Sequence, residues 1–243
     1  MISVWLVSAA FGRFAVTDLV LEQRQQVVAD LAARGIDGQM LVVADDENLD
    51  VAEQHGAERL ERPNKPLGEK WNAGFEHAFR EGADFVVYIG SDDWMHPGLF
   101  DRLPASNAIL TGRQIAFLNL NTGRMQPCKV SSRWGVIPWV LPRQLLERCE
   151  FRPITTRRSW GLDNSLINGL RAKGPRPLLE FRDPHPLARV DIKSDTNITP
   201  YARVATHLAD GDEISPWDAL TALYPADLVA RARTLSQEAS CHP

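Results

Sequence analysis

The sequence predicts an α/β fold with a mostly parallel central sheet flanked by helices and a small C-terminal helical tail. Three observations carry that expectation. Short apolar strands alternate with helical segments through the N-terminal part of the chain, the pattern of a parallel sheet covered by helices on both faces. The run Phe85-Val86-Val87-Tyr88-Ile89 has the length and composition of a strand buried on both sides. Acidic clusters at 45–50 and 92–93 fall where two strands stop, and open α/β sheets bind ligands at the carboxyl ends of their strands. With 243 residues and 44% hydrophobic content, the chain can bury one large core, or one core and a small appendage.

The elements follow in order. Ile2 to Val7 is the first strand. Thr17 is placed to cap a helix that carries Val20, Val27 and Leu31 on one face and stops at Gly35. Met40 to Ala44 is the second strand, followed by a short helix to Gly56 and a third strand, Ala57 to Glu61. The loop 62–68 leads into a helix with Asn72, Phe75 and Phe79, stopped by Gly82. After the strand at 85–89, Pro97 to Leu103 is a short helix, and Ala108 to Leu110 and Ile115 to Leu120 are strands. Residues 121–137 read as a loop, Arg143 to Cys149 as a short helix, and Asp163 to Lys173 as another, stopped by Gly174 before two prolines. The stretch 178–206 reads as irregular or extended, with 191–197 as a polar loop able to close over a ligand. Ser215-Pro216-Trp217-Asp218 opens two packed helices at 216–239.

Composition narrows the classes. No apolar run approaches the roughly 18 residues that span a bilayer, and the N-terminus reads as a strand with no basic leader. Cys128, Cys149 and Cys241 stand at no metal-ligand spacing, which suggests reduced thiols in a cytoplasmic protein. Charge is lopsided. Residues 113–176 hold twelve Lys/Arg against three acids, an excess of +9 that leaves −13 for the rest of a chain of net charge −4. Such asymmetry hints at an anionic partner or marks a solvated basic surface.

The strand-end residues Gly90, Ser91, Asp92 and Asp93 offer adjacent carboxylates to a hard divalent cation bridging phosphates; an isolated Asp-Asp equally caps a turn. Asp45 can accept from a nucleoside or cap the turn that follows it. Lys70 can balance phosphate charge or stand solvated, and Asn72 can orient its helix or touch donor hydroxyls. Asp163, at a helix start beside Trp160 and Gly161, would be kept ionised by that position, which suits a general base and also suits a cap.

Taken in order, these residues resemble the GT-A-fold glycosyltransferases of the family 2 type over roughly residues 2–175. Val43 to Asp50 is similar to that family's strand-end acidic region, matching at Asp45 and Asp50. Lys70-Trp71-Asn72-Ala73-Gly74 is similar to its Asn-x-Gly helix, and the spacing from Asn72 to Asp92 suits its metal-binding DxD motif. Trp160-Gly161-Leu162-Asp163 resembles the Gly-Glu-Asp site of the catalytic base. Gly90 stands in place of the first Asp of DxD, Leu162 in place of the Glu, and Trp71 where many members carry Arg.

The resemblance implies a metal-dependent, inverting transfer from a nucleotide-sugar donor to an acceptor hydroxyl. Ala9, Asp45, Asp50, Lys70, Asn72, Gly90, Ser91 and Asp92 would bind the donor. Asp92 and Asp93 would hold Mn²⁺ or Mg²⁺ with a further ligand from the C-terminal region, His185 before His207, and Asp163 would be the base. The domain division it implies is a catalytic unit at 1–206, with a nucleotide half (1–105) and an acceptor half (106–206), followed by a tail at 207–243. The basic stretch with its aromatics assigns Arg133, Trp134, Arg157, Arg158 and Trp160 to the acceptor, expected to be an anionic glycan or lipid-linked sugar. The alternative acceptor is a hydroxymethylated base in DNA, flipped out of the duplex. A nucleotidyltransferase is a competing class, but Ser8-Ala9-Ala10-Phe11-Gly12-Arg13 is a poor version of its Gly-rich phosphate loop. A non-catalytic nucleotide-sugar-binding relative is the third reading, suggested by Gly90 and Leu162.

Overall fold

The computed structural model describes residues 1–130, 135–194, 201 and 214–241. Its strands are β1 (Ile2–Ala9), β2 (Ile36–Ala44), β3 (Glu58–Glu61), β4 (Phe85–Tyr88), β5 (Asp93–Met95), β6 (Ala108–Gly112), β7 (Gln114–Asn119), β8 (Arg124–Lys129), β9 (Val136–Pro142), β10 (Leu178–Phe181) and β11 (Arg189–Lys193). The helices are α1 (Phe14–Ala33), α2 (Asn48–Gln54), α3 (Leu67–Arg80), α4 (Arg143–Glu147), α5 (Leu162–Ala172), α6 (Trp217–Thr221) and α7 (Ala226–Cys241), with a 3₁₀ turn at Pro97–Phe100.

Seven strands form the central sheet in the order β10-β6-β9-β4-β1-β2-β3. It is mostly parallel, as the sequence predicts; β9 alone runs antiparallel, between β4 and β6. Alternation along β1 sends Val4 and Leu6 to one face, where Val27 and Leu31 of α1 meet them, and Trp5 and Val7 to the other, against Trp71 and Phe75 of α3. Gly74 lets α3 lie close, since a Cβ there would come within 2.8 Å of Val7 Cγ1 and 3.0 Å of Val43 Cγ2.

A second sheet, β5-β11-β7-β8, stands beside the first. Its strands are short, and several of their residues are polar, so their period is hard to read in sequence. That corrects the expected loop at 121–137, which contains β8 and the start of β9, and the expected closing loop at 191–197, whose first residues belong to β11. Residues 195–197, like His207, lie outside the described residues. Thr17 is not a cap either: α1 begins at Phe14 and buries Thr17 within it.

The helices expected at 216–239 form, and they wall the second core. Leu220, Tyr224, Leu228 and Val229 pack with Trp94, Leu118, Val190 and Ile192 of the second sheet and with Leu19 and Val20 of α1. The Tyr224 hydroxyl donates to the Leu187 carbonyl at 2.9 Å, and the Ser236 hydroxyl to that of Leu120 at 2.6 Å. Cys128 and Cys149 are buried. Among the described residues, no helix is long and apolar enough to cross a membrane.

Candidate active site

In the central sheet β1 lies between β2 and β4, and Gly90 to Asp93 follow the end of β4. There the chain leaves the first sheet and enters the second at Asp93. In that sheet β11 sets Asp191 directly opposite Asp93 in antiparallel register. One ligand oxygen from each of Asp92, Asp93 and Asp191 lies within 4.8 Å of the others. Like charges opposed across a strand pair destabilise it unless a cation intervenes.

Three cations do. Arg13 Nη1 meets Asp92 Oδ2 at 2.8 Å while Nη2 donates to Ser91 Oγ at 3.1 Å. Lys193 Nζ meets Asp191 Oδ2 at 2.7 Å. The buried Arg24 donates to Ser8 Oγ and to the Gly90 carbonyl from beneath. Burial pushes the Asp93 carboxyl well above the ordinary range, with Asp191 and Asp92 adding to the rise. Asp191 is raised by burial to about 6, against the pull of Lys193. Burial would raise Asp92 too, but Arg13 and Lys193 outweigh it and hold that carboxyl below its usual value.

Gly90 has a steric reason. Its N–H donates to Asp93 Oδ2 at 2.8 Å, and a Cβ would fall 2.5 Å from that oxygen and 2.7 Å from Asp92 Oδ1. Both carboxylates fold back over the glycine, so any side chain in its place would displace them. The donor set is all oxygen, as hard divalent cations prefer, and Asp191 Oδ1 is buried with no hydrogen-bond partner among the described residues. These residues fit Mg²⁺ or Mn²⁺.

A cavity of about 480 Å³ joins the carboxylates to Asp163, walled by Trp71, Tyr88, Phe117, Ile137 and Trp160. Gly161, with φ 60°, turns the chain into α5 and places Asp163 in its first turn. The Tyr88 hydroxyl donates to Asp163 Oδ1 at 2.9 Å, so β4 sets both the base candidate and the carboxylates. Asp163 keeps solvent contact, yet burial of its carboxyl raises its pKa above the ordinary value, opposed by the Tyr88 hydrogen bond. Water on the open side limits that rise. A second cavity of about 210 Å³, lined by Phe11, Asn64 and Lys65, shares Ala9, Arg13, Leu67 and Ser159 with the first.

No family model matches the sequence, and no curated protein does. Solved structures do match. A mutant of Drosophila β1,4-galactosyltransferase 7, crystallised with manganese, UDP-Gal and xylobiose, is similar with a TM-score of 0.54 at 14% identity, over 87% of this chain and 82% of that one. Staphylococcus aureus TarS 1–349 in complex with UDP is similar with a TM-score of 0.52 at 12% identity, over 99% of this chain and 70% of that one. The chain has the GT-A fold. At such identities the likeness is one of fold, and this GT-A chain spans 60% and 37% of the length of two other TarS structures.

Within the GT-A frame the expected site residues separate into two groups. Ala9, Gly90, Ser91, Asp92, Asp93, Trp160 and Asp163 all border the large cavity. The others stand apart from it. Lys70 is buried, donating to the Ala10 carbonyl at 2.5 Å and to Asn64 Oδ1 at 3.3 Å, so it ties two loops together. Asn72 clamps the backbone of Ile154 through both amide atoms, at 2.7 and 3.1 Å. Asp45 accepts from the Asn64 N–H, and Asp50 lies exposed in the first turn of α2. His185 Nδ1 accepts from the Leu187 N–H at 3.1 Å, capping its own turn; Asp191 is the third group of the cluster in its place. Arg157 and Arg158 are exposed, the latter's guanidinium 5.8 Å from the Trp160 ring. Arg133 and Trp134 lie outside the described residues.

The basic excess disperses. Arg143 pairs with Glu147 and covers the Phe79 ring, Arg152 pairs with Glu69 and Glu76, Arg148 donates to the Pro175 carbonyl, and Arg113 covers Phe181. Among the described lining residues of the large cavity only Arg13 and Lys193 are basic. Sequence reasoning missed Arg13, Arg24, Tyr88, Asp191 and Lys193. The alternation of Asp191 and Lys193 about Ile192 was the available signal for a strand with one polar face.

Proposed function

We propose that this chain is a metal-dependent glycosyltransferase, moving a sugar from a nucleotide diphosphate to an acceptor hydroxyl with inversion. The observation that carries the reading is the oxygen trio of Asp92, Asp93 and Asp191 in one cavity with Asp163. Asp92, Asp93 and Asp191 would hold Mg²⁺ or Mn²⁺, which supplies charge neutralisation to the departing diphosphate. Asp163 takes the proton from the attacking hydroxyl, and Tyr88 fixes the carboxylate's orientation for that transfer. The nucleoside occupies the smaller cavity, where Phe11 offers an exposed ring. The acceptor enters against Trp160 and the aromatic wall, a surface suited to a sugar ring. Among the described residues the arginines are scattered and give a polyanion no track, so the proposed acceptor is a saccharide hydroxyl, and DNA is not carried forward. A nucleotide and manganese bound to one structural neighbour, and UDP to the other, support a nucleotide-sugar donor here.

The test is a panel of UDP-, GDP- and dTDP-sugars scored by thermal shift with and without Mn²⁺, followed by donor turnover on saccharide acceptors. Metal-dependent stabilisation by one donor and release of its nucleoside diphosphate are expected. Pyrophosphate release from a nucleoside triphosphate would replace this reading with nucleotidyl transfer. Binding without turnover on any acceptor or on water would leave only a sugar-nucleotide-binding protein.

A further inference from the structure

Two of the three carboxylates that suit a divalent cation are already paired with the protein's own cations. Arg13 pairs with Asp92 and Lys193 with Asp191, at 2.8 and 2.7 Å. An oxygen that accepts a charge-assisted hydrogen bond competes for the lone pairs that would ligate a metal. Arg24 differs: it is fully buried beneath the site and bonded to the Gly90 carbonyl, so it stays where it is. Arg13 and Lys193 both line the large cavity, and Arg13 also lines the smaller one. Arg13 therefore stands at the wall shared by the two, where a molecule with its base in one and its sugar in the other must place its diphosphate.

The backbone is arranged to hold Arg13 there. Arg13 has φ 53°, a left-handed conformation unusual for a long side chain. The preceding Gly12 is fixed from both sides, its N–H donating to Asp46 Oδ2 at 2.7 Å and its carbonyl accepting from Asn48 Nδ2 at 3.1 Å. A strained residue persists where its surroundings over-determine it, and such residues cluster at ligand clamps.

We infer that Arg13 and Lys193 are diphosphate-binding residues that exchange partners, leaving Asp92 and Asp191 for the nucleotide's diphosphate as the metal takes those carboxylates. This rests on the glycosyltransferase reading above and deepens it. Counted formally, three carboxylates face Arg13, Arg24 and Lys193, and the charges cancel. A doubly charged cation alone would leave Arg13 and Lys193 without counter-charges. A diphosphate alone would draw them off and leave the carboxylates repelling one another. Both together restore the balance, so metal and nucleotide bind with positive coupling, and by linkage each tightens the other by the same factor.

The experiment measures binding, with no turnover required. Isothermal titration of UDP, GDP and dTDP, and the EPR signal of free Mn²⁺, give each affinity alone and in the presence of the other ligand. For the wild-type protein we expect equal mutual tightening of about 5–150-fold. Arg13→Gln and Lys193→Met should shift the two ligands in opposite directions: Mn²⁺ alone binds tighter, nucleotide with Mn²⁺ binds weaker, and the coupling falls towards unity. Lys193→Arg, which keeps the charge, should retain the coupling, and tighter Mn²⁺ binding by the methionine variant shows that its loss of coupling is not misfolding. If the wild-type protein binds nucleotide with Mn²⁺ but the variants leave both affinities unchanged, or weaken both, the exchange is overturned while the glycosyltransferase reading stands. If no nucleotide binds the wild-type protein with or without Mn²⁺, both fall.

Discussion

Gly90 shows how one absent side chain shapes the site. Both carboxylates occupy the space a Cβ would take, so Gly90→Ala must push Asp92 and Asp93 off their positions while leaving the buried strands intact. Loss of such supporting geometry costs about 10–100-fold in metal affinity, and Mn²⁺ titration of the variant should show a fall of that size with little change in melting temperature. Asp163 tests the base. General bases contribute about 10²–10⁴-fold, so Asp163→Asn should lower kcat by that order while nucleotide binding stays within a few fold. Tyr88→Phe gives the sharper reading. The Tyr88 hydrogen bond lowers the Asp163 pKa, so its loss lets burial raise that pKa further. A base must be ionised, and the rising limb of the kcat/KM profile should therefore move to higher pH. A limb that stays in place or moves to lower pH would remove Asp163 from the role.

At the scale of the element, the turn Pro97–Phe100 is held by a titratable cap. His96 Nδ1 accepts from the Gly98 N–H at 3.0 Å, which a protonated imidazole cannot do. Burial, with His185 next in weight, holds its pKa below the usual value, against Asp101 and Asp30. The sign follows from linkage: the unfolded chain takes up the proton first, so the cap's contribution is complete above a pH of about 6.5 and is lost as pH falls through the lower folded value. Asparagine also caps but does not titrate there. His96→Asn should flatten the decline of the urea midpoint on acidification below neutrality; an unchanged decline would place its cause elsewhere. Elements also show what was legible. The buried run at 85–89 and the apolar face of α3 announced themselves because each is packed on a continuous core. Strands β8 and β11 did not, because RMQPCK and RVDIK carry polar groups used for sheet edges and for the site. Lys70 and Asn72 stand out in sequence as candidate donor contacts, whereas in the structure their polar groups bond the backbone of Ala10 and Ile154 within the core. Asp191 could not be found from spacing, since only the fold brings it beside Asp93.

At the scale of the molecule, the C-terminal helices stabilise the site from behind. Leu228 is fully buried in the cluster that also holds Val190 and Ile192, the neighbours of Asp191. Leu228→Ala should cost about 2–5 kcal/mol, read as a lower urea midpoint. The order of the chain adds something that no static view shows. Asp92 and Asp93 emerge from the ribosome well before Asp191 and the helices that support its strand. A growing chain can fold the first strands and display two carboxylates, but it has no third oxygen and no Lys193 to exchange. The oxygen trio is thus closed only once β11 has been made, so the order of synthesis itself keeps the cluster open in a chain arrested before Asp191.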